Sequence, residues 1–544
     1  MPKAKSKIKN TVSISPHHYT YPSSVTLKNK YGTKNLASFL EKCSHDTTKA
    51  LINLREEPLP EYFDSSYLKY IHKCLFENTF EWAGHTRDEV FTFADGTSAA
   101  MPEMKRTGWE NPFAIGDEIR EGLQKLDQTL FEKNNLQNLT REEFISEAME
   151  MFNSLNHIHP FREGNGRTQR FFFENLAKAA GHSLDFSLVT KERMMLASIA
   201  VEKEGNLEPM KHLFEDISHP EKILLLKEFM DNMKESGRNV NDRPVMVAKE
   251  GETYTGLFRG MGVEGFAFNV KGAFIIGNKE HLTPEQLKTL KSGERFTFTV
   301  PRTQELEKIL IPEETLAPLS KSELFEKVAE DACVHTCRQQ IQHLSKTIYG
   351  SSKTLDKEMV KIIKNPELGQ QLSNQINRSP SSVANLVGFD LFCLKTSARA
   401  NAEEHVETLC CAIVNFAHAV RHAEKEITQE HQAEQNRRGQ KVVMPSKDLK
   451  DLLTLPKELQ QEALENNSSL QKELCTLLKN IKGRLSSTEH KAVRDGDHGT
   501  LAKSLGVSER KAQEITEITK QAREAHQQVQ TRTASHSKAL AMAS

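Results

Sequence analysis

The stretch that most constrains this chain is residues 159–170, which read His159-Pro160-Phe161-Arg162-Glu163-Gly164-Asn165-Gly166-Arg167-Thr168-Gln169-Arg170. Pro160 disfavours the helical conformation in the residue before it, so a helix arriving from the N-terminal side stops near His159. That helix is legible: Phe144, Ala148, Met151-Phe152, Leu155 and Ile158 form an apolar stripe over residues 141–158. After Gly166, apolar Phe172, Leu176 and Ala179-Ala180 alternate with Arg167, Arg170, Glu174 and Lys178, which predicts a second amphipathic helix ending at Gly181. The stretch is therefore helix, Gly-rich turn, helix.

The chemistry of the turn follows from its residue types. Gly164 and Gly166 let backbone N–H groups approach an anion unobstructed, and the following helix aims its unsatisfied N–H groups and positive dipole end at the same place. Arg167 and Arg170 share one helix face, where guanidinium forks suit phosphate oxygens. Glu163 repels phosphate unless a divalent cation lies between them, and Mg²⁺ held by one carboxylate plus phosphate oxygens is the usual arrangement. His159 at the entrance is a candidate general base, with an ordinary pKa near ~6.5. This inventory suits chemistry on a nucleoside triphosphate.

The stretch resembles the Fic family signature, His-x-Phe-x-(Asp/Glu)-Gly-Asn-Gly-Arg-x-x-Arg, at every fixed position. The resemblance implies a protein adenylyltransferase, which moves AMP from ATP to a Ser, Thr or Tyr hydroxyl of a target protein. It implies that His159 deprotonates that hydroxyl and Glu163 holds Mg²⁺. Gly164, Asn165 and Gly166 would form the anion hole, with Arg167 and Arg170 gripping the outer phosphates. A family member that transfers UMP, phosphocholine or phosphate remains an alternative. So does an adaptor acting mainly through its C-terminal bundle.

Upstream, residues 65–80 show helical spacing at Leu68, Ile71-His72 and Leu75-Phe76 behind a serine cap. The run from Ile71-His72 through Trp82-Ala83-Gly84 to Arg87 is a second Fic-like signature. Tyr67 is a candidate border of the adenine pocket. Residues 90–101 alternate around Asp95-Gly96, a hairpin signal. In Fic proteins such a flap registers the target's extended segment by strand pairing. Lys105 and Arg106 follow it, within reach of nucleotide or target. Family members are often restrained by a helix bearing Ser/Thr-x-x-x-Glu-(Gly/Asn). Glu77-Asn78, Glu110-Asn111, Glu204-Gly205 and Glu250-Gly251 all lack Ser or Thr four positions before the glutamate. A small separate antitoxin-like inhibitor is the expected partner.

The rest of the 544 residues sets the frame. The net charge of -1 gives no overall argument for nucleic acid or anionic membrane, and 27% charged residues point to polar, helical modules. Eight scattered cysteines (Cys43, Cys74, Cys333, Cys337, Cys393, Cys410, Cys411, Cys475) read as reduced core thiols, fitting a reducing compartment. No apolar run approaches ~18–20 residues, and the basic N-terminus has no apolar segment behind it, so neither a transmembrane helix nor a secretory signal is expected. Residues 243–300 carry Val, Phe, Tyr and Thr runs cut by Gly, which reads as short antiparallel strands forming a small OB-type barrel. From residue 320 helices dominate. The longest is expected near 398–437, with a linker at 439–446 and further helices near 448–480, 487–504 and 508–528. His335, His405, His418, His422 and His431 there show no ligand spacing. From residue 525 the chain has Arg532, Lys538 and no acid, which reads as an unstructured basic tail.

The expected fold is thus mainly α. It comprises an N-terminal arm (1–30), an all-helical Fic domain with a β-hairpin flap (31–238), a small OB-like β module (239–303), an elongated helical bundle (304–524) and the tail (525–544). This order resembles the Bartonella effectors whose terminal bundle, called BID, is read with its positive tail by a type IV secretion machine. The resemblance implies synthesis in the bacterial cytoplasm, translocation into a host cell, host target proteins as partners and a host membrane surface as a further one.

Overall fold

The computed structural model describes residues 19–105, 112–391 and 394–543. The chain forms two compact units, residues 1–281 with 290–301 and residues 282–289 with 302–544.

The first unit is built on helices α1 (Leu36–Glu56), α2 (Ser65–Phe76), α3 (Asp117–Glu132), α4 (Arg141–Ile158), α5 (Asn165–Ala179), α6 (Lys191–Glu204), α7 (Glu208–Ser218) and α8 (Pro220–Glu235). Between α2 and α3 lies the expected hairpin, β1 (Phe91–Thr92) against β2 (Ser98–Ala99), with Phe91 opposite Ala99. α2 is capped by the Asp64 side chain on the Tyr67 N–H rather than by a serine. Ser65 is instead held by Asp127 of α3 through both its N–H and its hydroxyl at 2.6 Å. α4 begins with a reciprocal capping box between Thr140 and Glu143. It ends at His159, which adopts a left-handed φ of 48° ahead of Pro160. Phe144, Ala148, Phe152 and Leu155 are buried, so the apolar stripe that defined α4 in the sequence is its core face. Trp82, Phe76, Phe80, Phe161, Phe172 and Phe173 are fully buried in the same core, each contributing about 1.5–3 kcal/mol by leaving water.

A five-stranded sheet follows: β3 (Val245–Val247), β4 (Thr253–Met261), β5 (Gly265–Val270), β6 (Ala273–Asn278) and β7 (Arg295–Thr299), in the order β3-β6-β5-β4-β7. The sheet is mixed rather than wholly antiparallel, because β3 runs parallel to β6. Among the described residues β3 and β7 are not paired with each other, so ladder bonds do not close the expected barrel. Two devices, one buried and one partly buried, anchor the sheet to the helices. Asp216 of α7 accepts the Val247 N–H at 2.9 Å and pairs with Arg193 at 2.7 Å. Glu228 of α8 accepts the N–H groups of Val263, Glu264 and Gly265 at the turn between β4 and β5.

The second unit is mainly helical, with two apolar cores. The seam read from Ala402 to Val420 is buried throughout, but its helix is divided into Ser397–Glu404 and Val406–Arg438. At the break, His405 Nδ1–H donates to the Asn401 carbonyl at 2.8 Å, a side-chain bond of the kind that competes with the helical ladder. The expected linker holds a strand, Val442–Val443, antiparallel to Ile309–Ile311, as two β-branched residues beside a short apolar run favour. The helix expected over 448–480 is three helices, Lys447–Thr454, Lys457–Asn466 and Ser468–Arg484, parted at Pro456 and at Asn467, which caps the last. The expected unstructured tail is also corrected. The final helix runs from Glu509 to Ala543 and is longer than the one predicted to be longest. Residues 509–544 contain no Gly or Pro, and their Ala, Gln, Lys and Arg are good helix formers. Cys43 and Cys410 are buried, but Cys333, Cys411 and Cys475 are exposed, so the cysteines are not uniformly core residues. Among the described residues no helix is long and apolar enough to cross a membrane.

Candidate active site

The turn between α4 and α5 is built so that side chains hold its shape while backbone N–H groups stay open. Gly164 caps α5 with φ 89° and offers no side-chain bond to the first turn. The N–H groups of Asn165, Gly166 and Arg167 therefore keep their capacity for an anion. A Cβ at Gly164 would overlap the Phe76 ring, so glycine is required both by φ and by packing. A Cβ at Gly166 would lie 3.1 Å from Arg170 Nη1, and its absence lets that guanidinium lie beside the turn.

Seven predicted residues, His159, Glu163, Gly164, Asn165, Gly166, Arg167 and Arg170, line one cavity of ≈ 330 Å³ together with Arg162 and Met104. Among the described residues three arginines face one carboxylate there, so the cavity favours a polyanion. The Arg167 guanidinium lies 4.7 Å from the Phe76 ring centre, donates to Thr47 Oγ1 at 3.1 Å and stands 3.5 Å from Glu163. The Glu163 side chain is 45% exposed, so that pair is open to competition by a ligand. Burial holds the Arg162 and Arg170 guanidinium groups below the usual arginine range, the sign of cations desolvated ahead of any partner.

The Asn165 side chain is committed to the loop. Its Nδ2–H donates to the Phe161 carbonyl at 2.7 Å and its Oδ1 accepts the Phe161 N–H at 2.9 Å. What Asn165 offers a phosphate is backbone. The His159 ring stacks on Phe113 at 4.0 Å between centres and 8° between planes, which fixes its orientation. Tyr67 does not line this cavity. Its ring packs against Phe63 and Phe172, and its hydroxyl accepts from Asn175 at 2.8 Å. Lys105 is exposed and also outside the lining. Arg106 lies outside the described residues.

Sequence reasoning missed four contributors. Arg162 occupies a variable position of the signature and gave no signal. Met104 and Phe113 reach the site from beyond the flap, a juxtaposition only the fold creates. His72 was read only as part of the upstream signature. It is buried and stacks on Phe161 at 3.8 Å. Its Nδ1 accepts the Gly84 N–H at 2.8 Å, so the proton is on Nε2, which donates to the Glu163 carbonyl at 3.0 Å. Burial pushes its pKa down to about 3 and keeps the ring neutral.

Among the described residues no three His, Cys, Asp or Glu side chains converge as metal ligands, and Glu163 is the one carboxylate lining the cavity. That donor set suits a cation that keeps waters and phosphate oxygens for most of its shell, as Mg²⁺ does. It does not suit an ion held by protein alone.

Comparison with known proteins agrees with this geometry. Residues 62–177 match the Fic/DOC family, and residues 246–298 match a family described as an intracellular delivery domain. The second match falls on the sheet, whereas the sequence reading attached delivery to residues 304–524 and the tail. A protein adenylyltransferase of Bartonella henselae is 70% identical over 544 residues, covering 100% of both chains. A probable protein adenylyltransferase Fic of Escherichia coli K12 is 30% identical over 174 residues, 32% of this chain and 78% of the relative. The structure of a type IV secretion system effector protein, BepA, is 76% identical with a TM-score of 0.52, covering 53% of this chain and 98% of that one.

Proposed function

The chain belongs to the Fic/DOC family of protein adenylyltransferases, and from that premise we propose how its own residues carry AMP transfer. Neutral His159 takes the proton from a Ser, Thr or Tyr hydroxyl of a host protein, and the freed oxygen forms a bond to the α-phosphorus of ATP as the bond to pyrophosphate breaks. Arg167 and Arg170 hold the departing phosphates, and the first-turn N–H groups of α5 stabilise the charge that develops. Glu163 would hold a Mg²⁺ ion arriving with the triphosphate, which would supply neutralisation of phosphate charge. The flap β1–β2 registers the target by strand pairing. The observation that carries this reading is that seven of the eight fixed residues of the signature, all but Phe161, line one cavity.

The test is incubation of mammalian-cell lysate with α-labelled ATP. Wild type labels protein; His159→Ala does not, yet still binds ATP. Retained labelling by His159→Ala removes the base assignment. Arg170→Ala raises the ATP concentration needed for half-maximal rate, and an unchanged dependence contradicts its role.

Delivery by a type IV machine, through the C-terminal bundle and its Arg- and Lys-bearing end, is the second part of the proposal. Its support is the likeness to BepA. Deletion of residues 304–544 abolishes transfer of a reporter fusion into host cells if this is right. Restraint by a separate antitoxin-like protein is the third part, resting on the missing Ser/Thr-x-x-x-Glu-(Gly/Asn) pattern. Co-expression with candidate small neighbours and a fall in labelling rate test it.

A further inference from the structure

Arg87 is fully buried at the seam between the flap and the catalytic turn, and nothing above gives it a task. All five of its guanidinium N–H groups are used, and all five acceptors are backbone carbonyls. Nε–H donates to His159 at 2.8 Å, Nη1 to Met101 and Pro102 at 2.8 Å each, and Nη2 to Ala114 at 2.6 Å and Ile158 at 3.3 Å. The backbone repeats the pattern, since the Arg87 N–H donates to the Pro160 carbonyl at 2.8 Å and its C=O accepts the Met101 N–H at 2.6 Å. Among the described residues no carboxylate pairs with this cation within 4.0 Å. Burial pushes its pKa down to about 10, still charged at neutral pH. A desolvated guanidinium held only by peptide dipoles is costly. What it accomplishes is geometric. One rigid fork joins the end of α4, where His159 sits in a left-handed conformation, to the chain leaving β2, the flap strand that ends at Ala99.

We propose that Arg87 is the positioning residue that sets the His159 ring relative to the target strand carried by the flap, so that base and incoming hydroxyl share one frame. The proposal rests on the reading of His159 as the base and of β1–β2 as the target's docking edge. Arg87 touches neither nucleotide nor target; it acts through the carbonyls on either side. Lysine keeps the charge but lacks the planar five-donor fork, so Arg87→Lys separates charge from geometry.

The experiment uses the full chain, α-labelled ATP and lysate protein at fixed concentration, with ribose-labelled fluorescent ATP to read nucleotide binding and a thermal melt to read folding. Arg87→Lys is expected to fold, to bind the fluorescent nucleotide within about threefold of wild type and to lose about a hundredfold in kcat, the scale of an ångström-sized misplacement. Arg87→Ala is expected to recover rate when methylguanidinium is titrated in, with nucleotide binding unmoved. A folded Arg87→Lys with wild-type kcat overturns the proposal. So does proportional loss of nucleotide binding and rate, failure of methylguanidinium to restore a folded Arg87→Ala, or loss of folding in both variants, since each makes Arg87 a general support. His159→Ala run in parallel separates the two readings. If that variant still transfers AMP, the base reading fails; if it is dead while Arg87→Lys is wild type, the coupling alone fails.

Discussion

The Nε2–H of His72 donates to the backbone carbonyl of Glu163 at 3.0 Å, joining α2 to the turn that carries the one lining carboxylate among the described residues. The other ring nitrogen accepts from Gly84, so the imidazole is a two-ended strut between the Trp82-Ala83-Gly84 turn and Glu163. Glutamine offers one acceptor and one donor at a similar reach; leucine offers neither. His72→Gln is expected to keep AMP transfer within about tenfold of wild type, while His72→Leu leaves a buried carbonyl and N–H unsatisfied at about 1–3 kcal/mol each. The measurement is rate against Mg²⁺ concentration. His72→Leu should need more Mg²⁺ for half-maximal rate, and equal curves for the two variants would show that the strut does not reach Glu163.

The same burial gives a pH signature. The folded-state pKa of His72 is about 3, against an ordinary value near 6.5. Between these values the unfolded chain binds a proton that the folded chain does not. Stability therefore falls as pH drops through this window, by about 1.4 kcal/mol per pH unit from this group. His281, pushed down to about 4 by burial, acts in the same direction. Urea midpoints measured from pH 7.5 to 4.5 should fall less steeply in His72→Gln than in wild type. Parallel slopes would place the proton elsewhere.

How much of this was legible depends on whether the cause was local. His159 before Pro160, the glycines of the turn and the stripe of α4 are local, and the structure places them as read. The hairpin at Asp95-Gly96 is local too. The parallel pairing of β3 with β6 is set by chain crossing, which alternation cannot report. The strand at Val442 needed a partner more than a hundred positions away, at Ile311. Asn165 reads as a ligand in the signature, yet its amide serves Phe161, because only the folded loop shows which groups face each other. Arg87 and His72 were visible as letters of a motif; their work on carbonyls carries no residue signature at all.

Gly164 is expected to be intolerant of alanine for two independent reasons, the positive φ of 89° and the overlap of a Cβ with the Phe76 ring. Phe76 is fully buried and cannot retreat. Left-handed strain for a non-glycine residue costs about 1–3 kcal/mol and overpacking about as much again. Gly164→Ala should lower the unfolding midpoint and abolish labelling. Adding Phe76→Leu should recover part of the stability but not the activity, because Arg167 also rests on that ring. Full recovery of labelling in the double variant would show that the φ of residue 164 is unimportant to the turn.

Asp216 supplies the last test. Its carboxylate is fully buried among Arg193 at 2.7 Å, Lys222 at 3.1 Å and His212 at 3.4 Å, and it accepts the Val247 N–H that fixes β3. Burial alone would push this carboxyl up, but Arg193, His212 and Lys222 outweigh it and hold it below the usual range. Asp216→Asn removes the charge and leaves Arg193 buried without its counter-ion, a loss of about 3–5 kcal/mol. Replacing both partners, Asp216→Leu with Arg193→Met, should cost less than Asp216→Asn alone, because no unpaired arginine then remains. Chemical denaturation of the full chain measures both. If the double variant is the less stable, the pair contributes net attraction rather than the mere avoidance of a stranded charge. Nucleotide binding should survive in Asp216→Asn, since no residue of the cluster lines the cavity of His159. Its loss would mean that the seat of the sheet on α7 also governs the turn before α5.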